Sequence, residues 1–473
     1  MPATALRSHR LLATLLASAC CFVALGAVGA PSASAGQTAA VQAHLLWSRY
    51  DEADRERQLD RAKEAGVGMV RVDLGWASLE QAGKGRWNDW YLDKVDHVVQ
   101  AAQERDIEVL FTFWETPCWA STAPAHLKRG CEGAWWDRDV QRYPPANAAD
   151  YGEALAFMVR RYGDRVAAWE LWNEPNHPDY LLAQDQAASY AALVKAAYPR
   201  AKAADPDATI IAGSLADSDF EFTEALLEHG VGGNFDAWSV HPYSEDRSPL
   251  HPGIRGWTKK SFARGVPEVR ETLVRHGERK PIWLTEFGWS TCSARGGEAW
   301  ANCVSPSVQA SYLRQAFRKM QDWRYVPVGV SFNLEDTDDD GADRVDNYGL
   351  LRPNGSPKPA FGALAGAARA LRSGTRVRAR SGQLAVRFFR RGGRAWVAGR
   401  LPVGRTVRVK LHRWKTSAAR FSRRISYDKL IRVDRDGRFS HRIELNAAGS
   451  GKWLASVKGR RVPRLTASAV LLR

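Results

Sequence analysis

Short apolar runs alternate with longer amphipathic ones, eight times each, over residues 41–371. The apolar runs are VQAHLLWS (41–48), MVRVDLGW (69–76), IEVLFTFW (107–114), VAAWELWN (166–173), TIIAGSL (209–215), FDAWSVHPY (235–243), PIWLTEFGW (281–289) and VPVGVSFNLE (326–335). Between and after them, residues 54–65, 91–105, 151–162, 187–204, 220–228, 266–276, 307–323 and 359–371 carry apolar side chains at three- and four-residue spacing, the helical period. Strands that alternate with helices need a mostly parallel sheet, and eight such units predict a closed (β/α)8 TIM barrel. In that architecture the reactive groups sit at the C-terminal ends of the strands.

The texture changes after residue 373. Helical periodicity stops, and QLAVRFF, RAWVAGRL, TVRVKLH, KLIRVD, FSHRIEL, KWLASV and TASAVLL follow as short alternating runs split by turn residues. Residues 36–373 are therefore expected to form the barrel and 374–473 a small all-β sandwich. Charge divides the chain at the same place. From Leu371 onward lie 28 of the 68 Lys and Arg but 4 of the 52 Asp and Glu, a net +24 that leaves the rest at −8. A module so basic attracts polyanions. The expected partners are acidic wall or exopolysaccharide polymers, with no nucleic acid required, and the protein is expected to be a monomer.

Residues 1–35 read as an export signal: Arg7 and Arg10, a small apolar stretch, then Ala33-Ser34-Ala35 before the cleavage point. An uncleaved anchor is the other reading of that stretch. The protein is expected to be secreted, with cell-wall attachment as a variant. Cys20 and Cys21 would leave with the signal, and Cys118, Cys131, Cys292 and Cys303 remain. Four cysteines in an exported chain allow three disulfide pairings, of which the local ones, Cys118–Cys131 and Cys292–Cys303, are expected. A zinc site would want C-x-x-C spacing, which the four do not have.

The run WELWNEPNHP (169–178) ends the fourth strand on a carboxyl group, Glu174, and LTEFGW (284–289) ends the seventh on Glu286. Burying a carboxyl at a strand end is costly unless something uses it. Ends four and seven face each other across a barrel mouth. A carboxyl pair there suits glycoside hydrolysis, in which one group protonates the leaving oxygen and the other attacks the sugar carbon. Mutual repulsion and burial then keep one of them protonated as the acid.

With these two motifs the chain resembles clan A glycoside hydrolases, most closely families 5 and 39, and within family 39 the bacterial exopolysaccharide hydrolases. YGLLRPNGSPKPAF (348–361) also looks like the approach to the last helix of such barrels. The resemblance implies Glu174 as general acid/base and Glu286 as nucleophile in a retaining reaction on a β-linked polysaccharide, with no cofactor and no metal. It further implies that Asn173 contacts the sugar 2-hydroxyl, that Tyr243 and His241 of SVHPYS stand beside the nucleophile, and that Arg71 of VRVDLGW holds the nucleophile charged. Arg71 facing Glu170 instead is the structural alternative. At strand eight, SFNLED supplies Phe332 and Asn333 where family 5 has Trp.

The chain holds 19 Trp. Trp76, Trp114, Trp119 and Trp289 lie at or just past strand ends, where a flat ring can stack on a sugar's C–H face. Trp135 and Trp136 follow in the loop after strand three. DTDDDGADRVDN (336–347) resembles a calcium loop without its terminal Glu, and otherwise reads as an acidic rim. An inactive, polysaccharide-binding barrel is the rival function; it predicts loss of a catalytic Glu, and both are present.

Overall fold

A computed structural model describes residues 37–253, 258–293, 302–338, 341 and 343–371, the helix backbone to 374, and the backbone alone of eight strands between 385 and 471. The expected export signal, residues 1–35, lies outside the described residues. Among the described residues no helix is long and apolar enough to cross a membrane.

Strands β1 (Thr38–Gln42), β2 (Met69–Gly75), β3 (Glu108–Trp114), β4 (Ala168–Leu171), β5 (Ile210–Ala216), β6 (Ala237–His241), β7 (Ile282–Phe287) and β8 (Val328–Ser331) pair in that order. β8 returns to pair in parallel with β1, so the barrel is closed. The helices Glu52–Ala65, Asp89–Glu104, Ala148–Tyr162, Gln186–Ala204, Phe220–Glu228, Phe262–Arg275, Pro306–Met320 and Pro359–Gly374 occupy the eight expected stretches. Several start up to four residues before the apolar period does. The reason is capping: Asp51, Asn88, Asn147, Asp185, Asp219, Ser261 and Ser305 each accept a first-turn backbone N–H. Such a cap supplies a partner that the helix itself lacks, worth about 1 kcal/mol each.

β1 departs most from expectation. It runs 38–42 rather than 41–48, because the chain turns after Ala43, where the Leu45 N–H bonds back to the Ala43 carbonyl. Gln37 pins the strand's start, its amide donating to the carbonyls of Met320, Trp323 and Val326.

The barrel interior is layered. Ala40, Met69, Leu110, Ala168, Ile211, Ala237, Trp283, Val328 and Val330 form an apolar cluster toward the strand starts. Two residues further along the same faces, Arg71, Thr112, Glu170, Ser239 and Thr285 form a buried polar layer. A larger apolar core built on Val70, Val72, Phe111, Phe113, Leu171 and their helix partners fills the space between sheet and helices.

Past the barrel, β9 (Ala385–Arg391), β10 (Arg394–Arg400), β11 (Thr406–Lys415), β12 (Arg420–Phe421), β13 (Tyr427–Arg432), β14 (Arg438–Ile443), β15 (Trp453–Gly459) and β16 (Thr466–Leu471) form two sheets. One orders β14-β10-β9. The other orders β12-β11-β15-β16, with β13 also on β11. The ladders are antiparallel. The seven strands expected here are present, with two-residue β12 in addition.

Candidate active site

β4 stops being regular at Leu171, and the next residues leave strand geometry. Trp172 and Glu174 take positive φ, 67° and 43°. Non-glycine residues hold such values only where surroundings over-determine them, at about 1–3 kcal/mol each. Here the Glu174 N–H bonds the Ser214 carbonyl, and Asn176 clamps the end of β5, accepting from the Ala216 N–H and donating to its carbonyl. Strict alternation would place Trp172 on the same side as Glu170 and Glu174. Instead Trp172 packs edge-on against Tyr151 of the helix layer, at 5.9 Å, and its indole N–H reaches the Tyr180 carbonyl. That excursion turns Asn173 and Glu174 together into the mouth.

Glu286 arrives by a different route. Thr285 is in the interior polar layer, so alternation would send Glu286 outward among the helices. A register irregularity between Leu284 and Phe287 re-aims it. Gly288, next in the chain, passes the end of β8 so closely that a Cβ would lie 2.2 Å from the Phe332 carbonyl oxygen, which explains the glycine of TEFG.

Arg71 is the centre of the site. Fully buried, it donates through Nε to Glu170 at 2.8 Å, through Nη1 to Glu286 at 2.5 Å and Gln42 at 3.0 Å, and through Nη2 to Asn173 at 2.9 Å. Arg71 thus meets both carboxyls considered for it, Glu170 and Glu286. Glu170 also accepts from Thr112 at 2.8 Å and Ser239 at 2.7 Å. Burial pushes its carboxyl up, but Arg71, His241 and the Ser239 hydroxyl outweigh it and hold the group below its ordinary value.

The second oxygen of Glu286 accepts from the Tyr243 hydroxyl at 2.8 Å. His241 Nδ1 lies 2.7 Å from Glu174 Oε1, and its Nε2 lies 3.4 Å from the Ser214 hydroxyl. One atom from each of Glu174, His241 and Glu286 falls within 4.8 Å of the others. Burial raises the Glu174 carboxyl to about 7. Burial raises Glu286 too; His241 and Arg71 oppose this, and the net direction stays upward. Burial lowers the His241 imidazole and favours its neutral form, whose tautomer sets whether Nδ1 donates to Glu174 or accepts from it. The two carboxyls are unequal in their partners: the Arg71 guanidinium bonds Glu286 and favours its ionised form, while Glu174 meets His241.

These three side chains are also, among the described residues, those placed to hold a metal ion. The guanidinium of Arg71 on Glu286 opposes a second cation there.

The aromatic residues divide. Trp76 and Trp289 are core: 0 % and 1 % exposed, with their N–H groups on Glu80 Oε2 and the Arg247 carbonyl. Neither has a ring face free for a sugar, which corrects the expectation for both. Trp114 and Trp119 are half-buried; Trp114 meets Tyr180 edge-on at 5.7 Å, and Trp119 donates to the Glu80 carbonyl. Trp135 is buried beside Cys118, and Trp136 is exposed. In place of the missing Trp, Phe332 lies between Tyr243 and Tyr348 with ring centroids 6.4 and 5.6 Å away.

Both expected disulfides are present, Cys118–Cys131 and Cys292–Cys303. In the acidic stretch 336–347, Asp336 is committed to the Lys358 ammonium at 2.6 Å and the Gly349 N–H, not held open for calcium. Residues 339, 340 and 342 of that stretch lie outside the described residues.

Sequence reading missed several residues here. Gln42 bridges Arg71 and Asp73, donating to Asp73 at 2.8 Å. Asp73 follows Arg71 by two on β2 and so shares its face; despite burial, the His44 hydrogen bond and the Arg71 charge keep it low. Glu115 and Asp217, just past β3 and β5, are raised to about 7, chiefly by burial. Both also have positive φ, 70° and 58°.

A closed (β/α)8 barrel with paired carboxyls at the ends of strands four and seven defines a clan A glycoside hydrolase. Residues 27–320 match the family model for cellulase, glycosyl hydrolase family 5. A probable mannan endo-1,4-beta-mannosidase A of Aspergillus niger is 23 % identical over 296 residues, which is 55 % of this chain and 71 % of that one. A family 39 glycoside hydrolase from Bacteroides cellulosilyticus superposes with a TM-score of 0.54 at 20 % identity, over 92 % of this chain and 81 % of its own. A GH5_18 protein from Streptomyces cattleya gives 0.53 at 16 % identity, over 74 % and 84 %. The chain belongs to glycosyl hydrolase family 5, and it is a glycosidase.

Proposed function

We propose that this protein is an exported, retaining glycosidase that cuts a β-linked polysaccharide by double displacement. The carboxyl separation carries the reading. An oxygen of Glu174 lies within 4.8 Å of one of Glu286, which suits direct attack (about 5–5.5 Å between groups) and leaves no room for the interposed water of an inverting enzyme. Glu286, steadied by Arg71 and Tyr243 on separate oxygens, attacks the anomeric carbon. Glu174, its Oε1 occupied by His241, gives its proton from the other oxygen to the departing glycosidic oxygen. The C–O bond breaks and a glycosyl ester forms. Water, deprotonated by Glu174, then cleaves that ester with configuration kept. Asn173, fixed by Arg71, is placed for the sugar 2-hydroxyl. The likeness to a probable mannan endo-1,4-beta-mannosidase of A. niger supports a β-1,4-linked substrate; the disulfides and the residue 1–35 pattern support export. The basic segment 374–473 would hold the enzyme on an acidic wall or exopolysaccharide polymer.

The test is release of reducing ends from neutral and acidic polysaccharides by the intact protein and by Glu286→Ala. Release by the intact protein alone on some polymer supports the reading. Binding without release by either sinks it in favour of an inactive barrel.

The reaction needs Glu174 protonated and Glu286 ionised. Because Glu174 is raised to about 7, kcat/KM is expected to fall as pH rises through that value. The acid limb reports Glu286. Glu174→Gln, assayed on an aryl glycoside whose leaving group needs no proton, loses the alkaline limb; a limb unchanged in this variant would assign it to another group.

Trp114 is the stacking residue the site favours, half-buried at the end of β3. Trp114→Ala should raise KM about 3- to 10-fold with kcat little changed, as loss of a ring contact of about 0.5–1.5 kcal/mol implies. A drop confined to kcat would instead mark it as supporting the reacting groups.

A further inference from the structure

Six of the seven arginines in the three-stranded sheet fall on one face. In the register of β9, β10 and β14, strand alternation places Arg387, Arg391, Arg394, Arg400, Arg438 and Arg442 on one face. The opposite face receives Val386, Phe388, Ala395, Val397, Phe439 and Ile443, together with Arg390, Gly399 and His441. None of the three strands contains an Asp, a Glu or a Lys. Arg391 is directly opposite Arg394, and Arg400 directly opposite Arg438. Like charges directly opposite one another across strands destabilise a sheet. Among the described residues of the three strands no acidic residue stands in register with these six arginines, so an anion from elsewhere would relieve their repulsion.

Two aromatics share that face. Phe389 pairs with Trp396 across β9 and β10, and Trp396 pairs with Arg442 across β10 and β14, making one row through the sheet. Arginines occupy rows on both sides of it. The basic residues are all arginine, whose planar fork matches a carboxylate bidentately, where lysine offers only a point charge. Aromatic positions flanked in the register by arginine positions suit a polymer whose units carry both an apolar C–H face and a carboxylate.

We propose that this arginine face of the β9–β10–β14 sheet binds a carboxylate-bearing polysaccharide, a uronic-acid polymer in chemical class. The choice of a polysaccharide over other polyanions rests on the glycosidase reading of the barrel. The face then keeps the enzyme on acidic polymer independently of which bond the barrel cuts.

The experiment uses the full chain carrying Glu286→Ala, so that binding is measured without hydrolysis. The probes are polygalacturonate, the same polymer with its carboxyls reduced to alcohols, and duplex DNA, titrated over a range of salt. Polygalacturonate is expected to bind at least 10-fold tighter than the reduced polymer. Arg394→Gln with Arg400→Gln should weaken it about 10-fold or more and flatten its salt dependence. Trp396→Ala should weaken it about 3- to 10-fold without changing the salt dependence. The same arginine substitutions in the parent chain should leave hydrolysis of a small aryl glycoside unchanged, which shows that the barrel is intact. Equal binding of the reduced polymer, or unchanged affinity in the arginine variant, overturns the proposal. So does DNA binding as tight as polygalacturonate at matched salt, which would assign the face to nucleic acid. Absence of hydrolysis on every polymer would overturn the barrel's function and leave these binding results standing.

Discussion

Glu286→Ala should lower kcat by about 10⁴- to 10⁶-fold, the range seen when an enzyme loses its nucleophile, and should do so without unfolding the barrel. The second half follows from the charge balance. Arg71 keeps Glu170, Gln42 and Asn173 when Glu286 is gone, so no buried cation is left alone. Burial also penalises the Glu286 charge, so removing it relieves a cost. Azide added to the variant should enter the space of the lost carboxylate, attack the sugar directly and yield a glycosyl azide of inverted configuration. Glu174→Ala should differ in two ways. Its defect should be largest for poor leaving groups, because the missing proton matters most there. Azide should then give a product of retained configuration, since Glu286 still forms the ester first. Product stereochemistry by NMR separates the two roles. Inverted product from Glu174→Ala and retained product from Glu286→Ala would exchange the assignments. No rescue of either, in folded protein, would argue against covalent catalysis.

The barrel was legible because its signal is repetition: eight strand periods and eight helical ones in a fixed order. Strand ends were less legible, and the site is made of strand ends. β1 is the instructive case. Leu45, Leu46 and Trp47 prolong an apolar pattern that the backbone abandons at Ala43, so the strand was placed three residues late. That shift set Gln42 near the strand's start, away from the mouth, and hid its bond to Arg71.

Glu174 and Glu286 were found through motifs, although the backbone is irregular at both: alternation breaks at Trp172 before Glu174, and it would send Glu286 outward. Positive φ at Trp172 and Glu174 and the irregularity in β7 aim them. These features depend on tertiary bonds such as Glu174 N–H to Ser214, which local pattern does not encode. Tryptophan at a strand end is equally ambiguous. Trp76 and Trp114 end neighbouring strand runs, yet one is sealed in the core and the other is half-buried, and only the packing of Tyr151 and Glu80 decides which.

Arg71→Met should destabilise the barrel by about 3–5 kcal/mol, the usual cost of stranding a buried charge. Glu170 is fully buried and would lose its cation while keeping only hydroxyl donors. Its carboxyl is depressed in the folded protein, so its contribution is present above the ordinary carboxylate range and lost as pH falls through the depressed value. The penalty in Arg71→Met should accordingly be greatest near neutrality and shrink toward acid, measured as thermal unfolding against pH. Arg71→Lys keeps the charge but cannot reach four acceptors with one ammonium, and should fall between. The double variant Arg71→Met/Glu170→Gln removes both charges and should regain most of the lost stability. It should not regain activity. Glu286 would still lack its cation, burial would push its carboxyl further up, and the acid limb of kcat/KM should move to higher pH. A double variant as active as the parent would show that Arg71 serves only Glu170. A single variant as stable as the parent would show that the buried pair does not hold the barrel. Recovered stability with a displaced acid limb is the pattern expected if one guanidinium supports both the fold and the nucleophile.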